Sequence, residues 1–587
     1  MNNKCNNPKC DCQQSENVDA SFRHKHAADR RQFIKSVGLM GIGLGLGPAI
    51  TWWLQDRDRI DEIIKNPAII SGKAQRITIL HTSDIHGQLD IHDEFFWENG
   101  KAVFKKRGGF ATLRTMINEL KKENPLNTLV VDGGDCFQGS AVASLSKGAA
   151  IIPLINKINY DLVLPGNWEV VYGKEMMMRD LNNYTAAKVC ANMFNKSDYN
   201  NDTLFPPYQI FNLGGIRVGF IGYNDPLTPI RQSPAYSKGI AFTRPEKNLA
   251  HYVKVLREER GCNLVFVISH MGLAQQLHLS DQPCAQGVDY ILGADTHERI
   301  RTPIQGKFSK VTEPGAFASF IGKLDIVIEN GKIKEENYML LDVDPEKYKE
   351  DEEMKTMVAS AKEPYKDVLN EVIGQTKKPL LRYYVIETPM DNMITDALMW
   401  RFKTDIVVSN GFRFCPPLVP DESGMANITK DYLWSMLPID SEVKMADVSG
   451  KQILNWLEKE LENVFAKDAT KRFGGWLVRF KGMKVTFTIA CPMGERVQEV
   501  LIKGQPLVPE KVYTMLACER EGDPDNMLCR MMGVHNPSPQ NVLLHDVIVD
   551  YLAEFSPVSP DIEGRAIATD ATADMLSQVE GTDYKFR

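Results

Sequence analysis

Apolar runs along this chain stop, again and again, at the same kinds of residue. Ile77–Leu80 opens a β-branched stretch that ends at Asp84 and His86, with Gly87 just behind. Thr128–Val131 runs into Gly133-Gly134-Asp135, Leu162–Leu164 into Gly166-Asn167, Val218–Ile221 into Gly222-Tyr223-Asn224-Asp225, Leu264–Ser269 into His270, and Tyr290–Leu292 into Gly293-Ala294-Asp295-Thr296-His297. Short apolar runs bounded by Gly and polar residues read as buried strands. Between them, Phe110–Lys121 and Pro245–Glu259 carry helical spacing. Strands alternating with helices predict a layered α/β domain over residues 72–344, and such folds build sites just past the C-terminal ends of strands. At the first strand end, Asp-x-His is expected to point both side chains the same way along extended backbone.

Beyond this region, 345–374 is highly charged and reads as a solvated bridging helix. Residues 375–555 mix helices with strands such as Lys484–Ile489, Val497–Ile502 and Val512–Leu516, and read as an α+β domain. From 556 to 587 the chain is polar with few aromatics and reads as a loosely packed tail.

Composition narrows the class. A chain of 587 residues, 43% hydrophobic and 25% charged, is an ordinary globular protein too long for one core. Its net charge of −7 and lack of basic blocks argue against nucleic acid as a partner. Of the 11 cysteines, Cys5, Cys10 and Cys12 fall in a polar tail, and the other eight are scattered, reading as buried thiols with room for one or two disulfides after export.

Residues 1–54 read as a polar tail and an export signal. Asp29-Arg30-Arg31-Gln32-Phe33-Ile34-Lys35 precedes a Gly-rich apolar run, Val37–Ile50, in the manner of a twin-arginine signal. Glycines at 38, 41, 43, 45 and 47 would each cost roughly 1 kcal/mol in a soluble helix. With Trp52 and Trp53 at its end, the segment 37–54 is either cut or kept as a membrane tether, and the expected location is periplasmic or extracytoplasmic.

The strand ends offer seven donors: Asp84, His86, Asp135, Asn167, His270, Asp295 and His297. That is too many for one ion and suits two ions sharing a carboxylate. No thiolate is needed, so Mn, Zn, Fe or Mg are all open, and imidazole with carboxylate leans toward the transition metals. A lone Asp or His at a strand end is more often a cap or turn former; it is the recurrence that carries the metal reading. His81, His92, His251 and His278 read as scaffold or surface.

The series Asp84-x-His86, Gly134-Asp135, Gly166-Asn167, His270 and Asp295-Thr296-His297-Glu298 resembles the calcineurin-like metallophosphatases, and the two-domain form resembles the 5′-nucleotidase family. Gly133–Ser140, Phe205-Pro206-Pro207-Tyr208, Thr228-Pro229-Ile230 and Thr388–Trp400 are similar to its SoxB branch, the dimanganese thiosulfohydrolases. The resemblance implies a four-layer β-sandwich flanked by helices, with a C-terminal α+β substrate domain. It implies one ion on Asp84, His86, Asp135 and His297, and a second on Asp135, Asn167, His270 and Asp295, with Asp135 as the bridge. Three positions depart from the nucleotidase pattern: Trp168 replaces a His, Val171 replaces the Asp paired with it, and Asp295 replaces a His ligand.

In the second domain, Ser409-Asn410-Gly411-Phe412-Arg413 follows an apolar strand, and Arg413 has the fork to grip a paired-oxygen anion. Trp476 and Asp523 match substrate-domain positions, but the aromatic expected after Asp523 is missing. Asp135, Asn167 and Arg413 are thus the expected catalytic residues, and Asn410, Arg413, Trp476 and Asp523 the expected substrate contacts. The expected partner is a small anionic substrate or a sulfur group bound to a carrier protein. The functions implied are SoxB-like sulfate release or phosphoester hydrolysis; the alternatives are a nucleotide phosphomonoesterase and a metal-binding scaffold without catalysis.

Overall fold

The computed structural model describes residues 74–577, apart from 197–201, 411 and 414. The tail cysteines, the twin-arginine motif, Val37–Ile50 and Gly411 lie outside the described residues. Among the described residues, no helix is long and apolar enough to cross a membrane.

Two six-stranded sheets form the first half. In the first, Gln75–Thr82, Thr128–Asp132, Leu162–Val163 and Ala187–Lys188 run parallel, and Phe320–Glu329 and Lys332–Asp342 close one edge antiparallel. In the second, Ile216–Asn224, Leu264–His270, Tyr290–Gly293 and Lys310–Thr312 run parallel, with antiparallel edges at Tyr208–Leu213 and Ile304–Gln305. The period of two sorts the side chains. Leu264, Phe266 and Ile268 join the core shared with Ile77, Ile79 and Val130 of the first sheet. Val265 and Val267 face the other way, into an outer layer with Leu249, Val253 and Leu256. Every residue of Leu264–His270 is buried, which is why this strand reads as one continuous apolar run.

Register places the strand ends side by side. Thr82 pairs with Asp132, and Asp132 with Val163. In the other sheet Ser269 pairs with Gly293, and His270 with Asn224. The polar residues that follow therefore meet at one end of the sandwich.

The charged segment 345–374 does not bridge through solvent. Its helix, Glu352–Lys362, is capped by the Asp351 side chain and buries Met354 and Val358 in the main core. Arg114 of the helix Phe110–Glu123 holds Asp351 at 2.7 Å and Glu353 at 3.1 Å. Two apolar residues four apart make a narrow seam that the surrounding charges hide in the sequence.

The second half is built on a five-stranded sheet that includes Ile406–Ser409, Val512–Cys518 and Glu442–Ser449, with a four-stranded sheet beside it. The helix Gly450–Phe465 starts in a reciprocal Ser449–Gln452 capping box. Residues 556–577 are not a loose tail. Ala566–Ala568 adds a parallel strand to Met483–Phe487, and Arg565, inserted beneath it, donates to Thr395 Oγ1 at 2.8 Å. Main-chain pairing and small alanines hold the strand there, and the few large apolar residues, Val558 and Met575 among them, are too scattered to mark a core stretch. The eight cysteines within the described residues are free thiols.

A buried ion pair in the first half takes a hydrogen bond from the second. Glu94, fully buried in the hairpin Ile91–Glu98/Lys101–Gly108, accepts from Arg299 at 2.6 Å, from Ser319 at 2.7 Å, and from the Tyr383 hydroxyl. The Phe95 ring stacks on Tyr383 at 4.8 Å. Burial alone would raise the Glu94 pKa. The Arg299 charge, with His92 and Tyr383, outweighs it and holds the carboxyl near pKa about 2, against an ordinary 4.5. The folded pKa is depressed, so this stability is present above pH 4.5 and is lost as pH falls toward 2; a shift of that size corresponds to on the order of 3 kcal/mol. Glu94→Gln is expected to destabilise the fold at pH 6 and to flatten its acid limb. Urea melts from pH 6 to 2.5 check this, and parallel curves for variant and parent would refute it.

Candidate metal centre

The loops after the strands are held in unusual backbone. Asp84 and His86 have φ of 52°, Asp135 63°, Asp295 85° and His297 59°. The extended geometry expected for Asp84-x-His86 is therefore wrong. The strand ends at Thr82, and both residues sit in a left-handed turn pinned by Asp84 N to the Gly134 carbonyl (2.9 Å) and His86 N to the Asp135 carbonyl (2.8 Å). Non-glycine residues held in this region cost of order 1–3 kcal/mol each and cluster at functional sites. Two glycines permit the close approach. A Cβ on Gly134 would lie 2.4 Å from Gly166 N, and one on Gly166 would lie 2.1 Å from Asp135 Oδ1. Glu169 ties the loops together, accepting from the backbone N–H groups of Gly166 (2.6 Å), Asp135 (2.9 Å) and Cys136 (2.6 Å).

The imidazoles arrive with their tautomers set. His86 Nδ1 faces the Gln138 carbonyl at 2.8 Å, and His270 Nδ1 faces the Gly133 carbonyl at 2.7 Å. A carbonyl only accepts, so each Nδ1 carries the proton and each Nε2 turns inward as the ligand atom. His86 Nε2 lies 3.1 Å from His297 Nε2 and 3.9 Å from Asp135 Oδ2. His297 Nε2 lies 3.5 Å from Asp84 Oδ1. His270 Nε2 lies 3.0 Å from Asp135 Oδ2 and 3.8 Å from Asp84 Oδ1. Asp84, His86 and His270 are wholly buried. Burial keeps His86 and His297 below the ordinary imidazole pKa, helped at His86 by the neighbouring His297 and opposed at His297 by Asp84, in the neutral state that binds metal. Burial also opposes charge on His270, but the Asp135 carboxylate overcomes it; the same negative field attracts a cation.

Two triads meet the spacing a metal ion requires. The donor atoms of Asp84, His86 and His297 lie within 4.8 Å of one another, and so do those of Asp84, Asp135 and His270. Asp84 belongs to both, so it shares the bridging position expected of Asp135 alone. Lone pairs converging on a buried space fit a divalent ion.

The remaining two expected ligands are engaged elsewhere. Asp295 accepts a fork from Arg231, with Nη2 to Oδ1 at 2.9 Å and Nη1 to Oδ2 at 3.0 Å, and accepts from Asn167 Nδ2 at 2.7 Å. Asn167 Oδ1 accepts from Gln232 at 2.9 Å. Arg231 also holds the buried Asp225 at 2.8 Å. Sequence reasoning missed Arg231 and Gln232; the available signal was their position directly after Thr228-Pro229-Ile230.

Residues 77–299 match the calcineurin-like phosphoesterase family, and residues 372–518 match the 5′-nucleotidase C-terminal domain. This chain belongs to the metallophosphoesterases with a 5′-nucleotidase C-terminal domain. Members are hydrolases that bind two divalent metal ions. The chain is 25% identical over 472 residues to the trifunctional nucleotide phosphoesterase YfkN of Bacillus subtilis, a match covering 73% of this chain and 30% of that longer one. The fold resembles sulfate thiohydrolase SoxB of Thermus thermophilus, with TM-score 0.77 and 22% identity over 85% of this chain and 98% of the other. It also resembles a 5′-nucleotidase precursor from the same species, with TM-score 0.73 and 23% identity over 85% of this chain and 100% of the other.

In this metallophosphoesterase the second domain lies over part of the donor cluster. A cavity of about 100 Å³ is lined by Asp135, Asn167, His297, Asn410, Arg413 and Trp476, among others. Arg413 lies over the Trp476 ring at 5.4 Å and donates through Nη2 to the Asp295 carbonyl, while its buried Nη1 has no hydrogen-bond partner among the described residues. Trp476 is fixed by its own bond to the Arg382 carbonyl at 2.8 Å. Asp523 is not brought to the cavity. Its carboxylate pairs with Arg520 at 2.8 and 2.9 Å, and Arg520 in turn faces the carbonyls of residues 230–232. Trp168 and Val171, where nucleotidases have a polar pair, pack with Phe412 and Ile439 of the second domain into an apolar cluster.

Proposed function

We propose that this chain is an exported hydrolase that cleaves a small anionic group with a tetrahedral centre, in preference a sulfonate carried on sulfur, from a good leaving group. The observation that carries this reading is the apolar cluster of Trp168, Val171, Phe412 and Ile439 beside the metal ligands. It puts apolar side chains where nucleotidases carry the polar pair, which suits a thiolate that departs without a proton. The cavity supports it: about 100 Å³ takes a sulfonate or phosphate, whereas pockets for drug-sized ligands run from roughly 300 Å³ upward.

Asp84, His86, Asp135, His270 and His297 would hold metal; three imidazoles with two carboxylates suit a first-row transition ion such as manganese, zinc or iron. Bound divalent metal would supply an acidified water and positive charge for the developing oxyanions. Arg413 Nη1, buried and unpartnered, is available to one substrate oxygen. Gln138 and Gly133 hold the His86 and His270 rings in their ligand tautomers. Water attacks the sulfonate sulfur, the bond to the carrier sulfur breaks with its electron pair leaving on the thiolate, and the two water protons pass to solvent as sulfate is released. The twin-arginine motif supports the export reading.

A phosphomonoesterase reading is favoured by a second feature: a cleft of about 660 Å³ that shares Val464, Gly475 and Trp476 with the metal cavity and is large enough for a nucleoside. Side-by-side assays separate the two. The manganese-loaded protein is expected to release sulfate from S-sulfocysteine-type thiol sulfonates and to hydrolyse AMP at least about 100-fold more slowly, the loss expected when leaving-group acid catalysis is missing. Brisk AMP turnover with no sulfate release would replace the sulfonate reading by the phosphomonoesterase one.

A further inference from the structure

The second ion position of this family is guarded here by a built-in cation. Arg231 spans two carboxylates, with Nη1 on Asp225 at 2.8 Å and its fork on Asp295 at 2.9 and 3.0 Å. The next residue, Gln232, puts its amide on Asn167 Oδ1, the one atom of Asn167 able to ligate a metal. Two consecutive residues thus occupy both outer ligands of that position, and leave it only its inner triad of Asp84, Asp135 and His270. The turn that carries them is braced from the second domain by Arg520, itself fixed by Asp523.

Charge balance points the same way. Asp84, Asp135, Asp225 and Asp295 are buried carboxylates around the donors, each at most 3% exposed. Arg231 and Arg413 contribute two positive charges against them, with side chains 12% and 8% exposed. A second ion would add two positive charges beside a guanidinium already seated on Asp295, and like charges at such distances repel strongly in a buried site.

We propose that Arg231 and Gln232 close the second ion position, so that the resting protein holds one divalent ion tightly, on Asp84, His86, Asp135 and His297, and admits another only when Arg231 leaves Asp295. The inference rests on the metal-dependent reading of the site. It is tested by metal binding, which does not depend on the substrate.

The full chain, stripped by chelation, is titrated with Mn²⁺ and followed by calorimetry and electron paramagnetic resonance. One equivalent is expected to bind at least about 100-fold more tightly than any second, and its spectrum to be that of an isolated Mn²⁺. Arg231→Met frees Asp295, and the second equivalent is expected to tighten at least about tenfold, with an exchange-coupled signal appearing. Because Arg231→Met leaves Asp225 buried without its partner, Asp225→Asn/Arg231→Met is run beside it. Two wild-type equivalents within tenfold in affinity, or a folded double variant whose second equivalent does not tighten, would overturn the proposal while leaving the hydrolase reading intact. Failure of the wild type to bind any Mn²⁺ would overturn both.

Discussion

Asp135→Asn is expected to lower kcat/KM by roughly 1,000-fold or more and to weaken metal binding by roughly 100-fold or more. The variant keeps the shape of the side chain and removes its charge. Asp135 Oδ2 stands 3.0 Å from His270 Nε2, while Oδ1 accepts the Trp168 N–H at 2.7 Å. The carboxylate is almost wholly buried, and burial raises its pKa, so carrying its charge costs the metal-free fold desolvation that the neutral amide avoids. In chelator the variant should therefore melt no lower than the parent. A loss of activity and metal affinity without a loss of metal-free stability is the signature of a functional charge. Melting curves in EDTA and in Mn²⁺, with steady-state rates, check this. A variant that keeps its activity would show that Asp135 does not hold the metal.

Arg413→Lys is expected to lower kcat/KM by about 10- to 100-fold, most of it in KM, because a charge-assisted hydrogen bond of the kind it offers contributes about 1.5–3 kcal/mol. Arg413 divides its fork: Nη2 is committed to the Asp295 carbonyl, and Nη1 is buried and open to the cavity. Lysine keeps the charge but not the planar pair of donors, so it cannot brace the loop and hold the anion together. The carbonyl bond alone would make Arg413 a structural loop residue; unchanged KM in a folded Lys variant would establish that reading.

The strand ends of the metallophosphoesterase half were legible because fully buried parallel strands leave uninterrupted apolar runs, and each run stops where ligands begin. The left-handed turns at Asp84 and His86 were not legible, because they depend on backbone bonds to Gly134 and Asp135, about 50 residues away. Asp295 was legible as a departure from the family pattern. Its partner Arg231 lies 64 residues earlier, and only the packing of the Ile216–Asn224 and Tyr290–Gly293 strands on either side of Leu264–His270 brings the two together. Asp523 misled because its neighbour Arg520, three residues back, takes both its oxygens. The segment 556–577 misled because main-chain pairing holds a strand with alanines as well as with large side chains.

The hydrolase reading stands on the strand-end cluster binding metal and on that metal supporting the reaction. Both are measured together when the full chain is stripped with chelator, Mn²⁺ is restored stepwise, and bound metal and sulfate release are recorded in the same samples. Negligible release is expected from the stripped protein, with a rise in step with the first ion bound. Release that survives chelation, or that ignores occupancy of the Asp84–His86–His297 group, would contradict this reading.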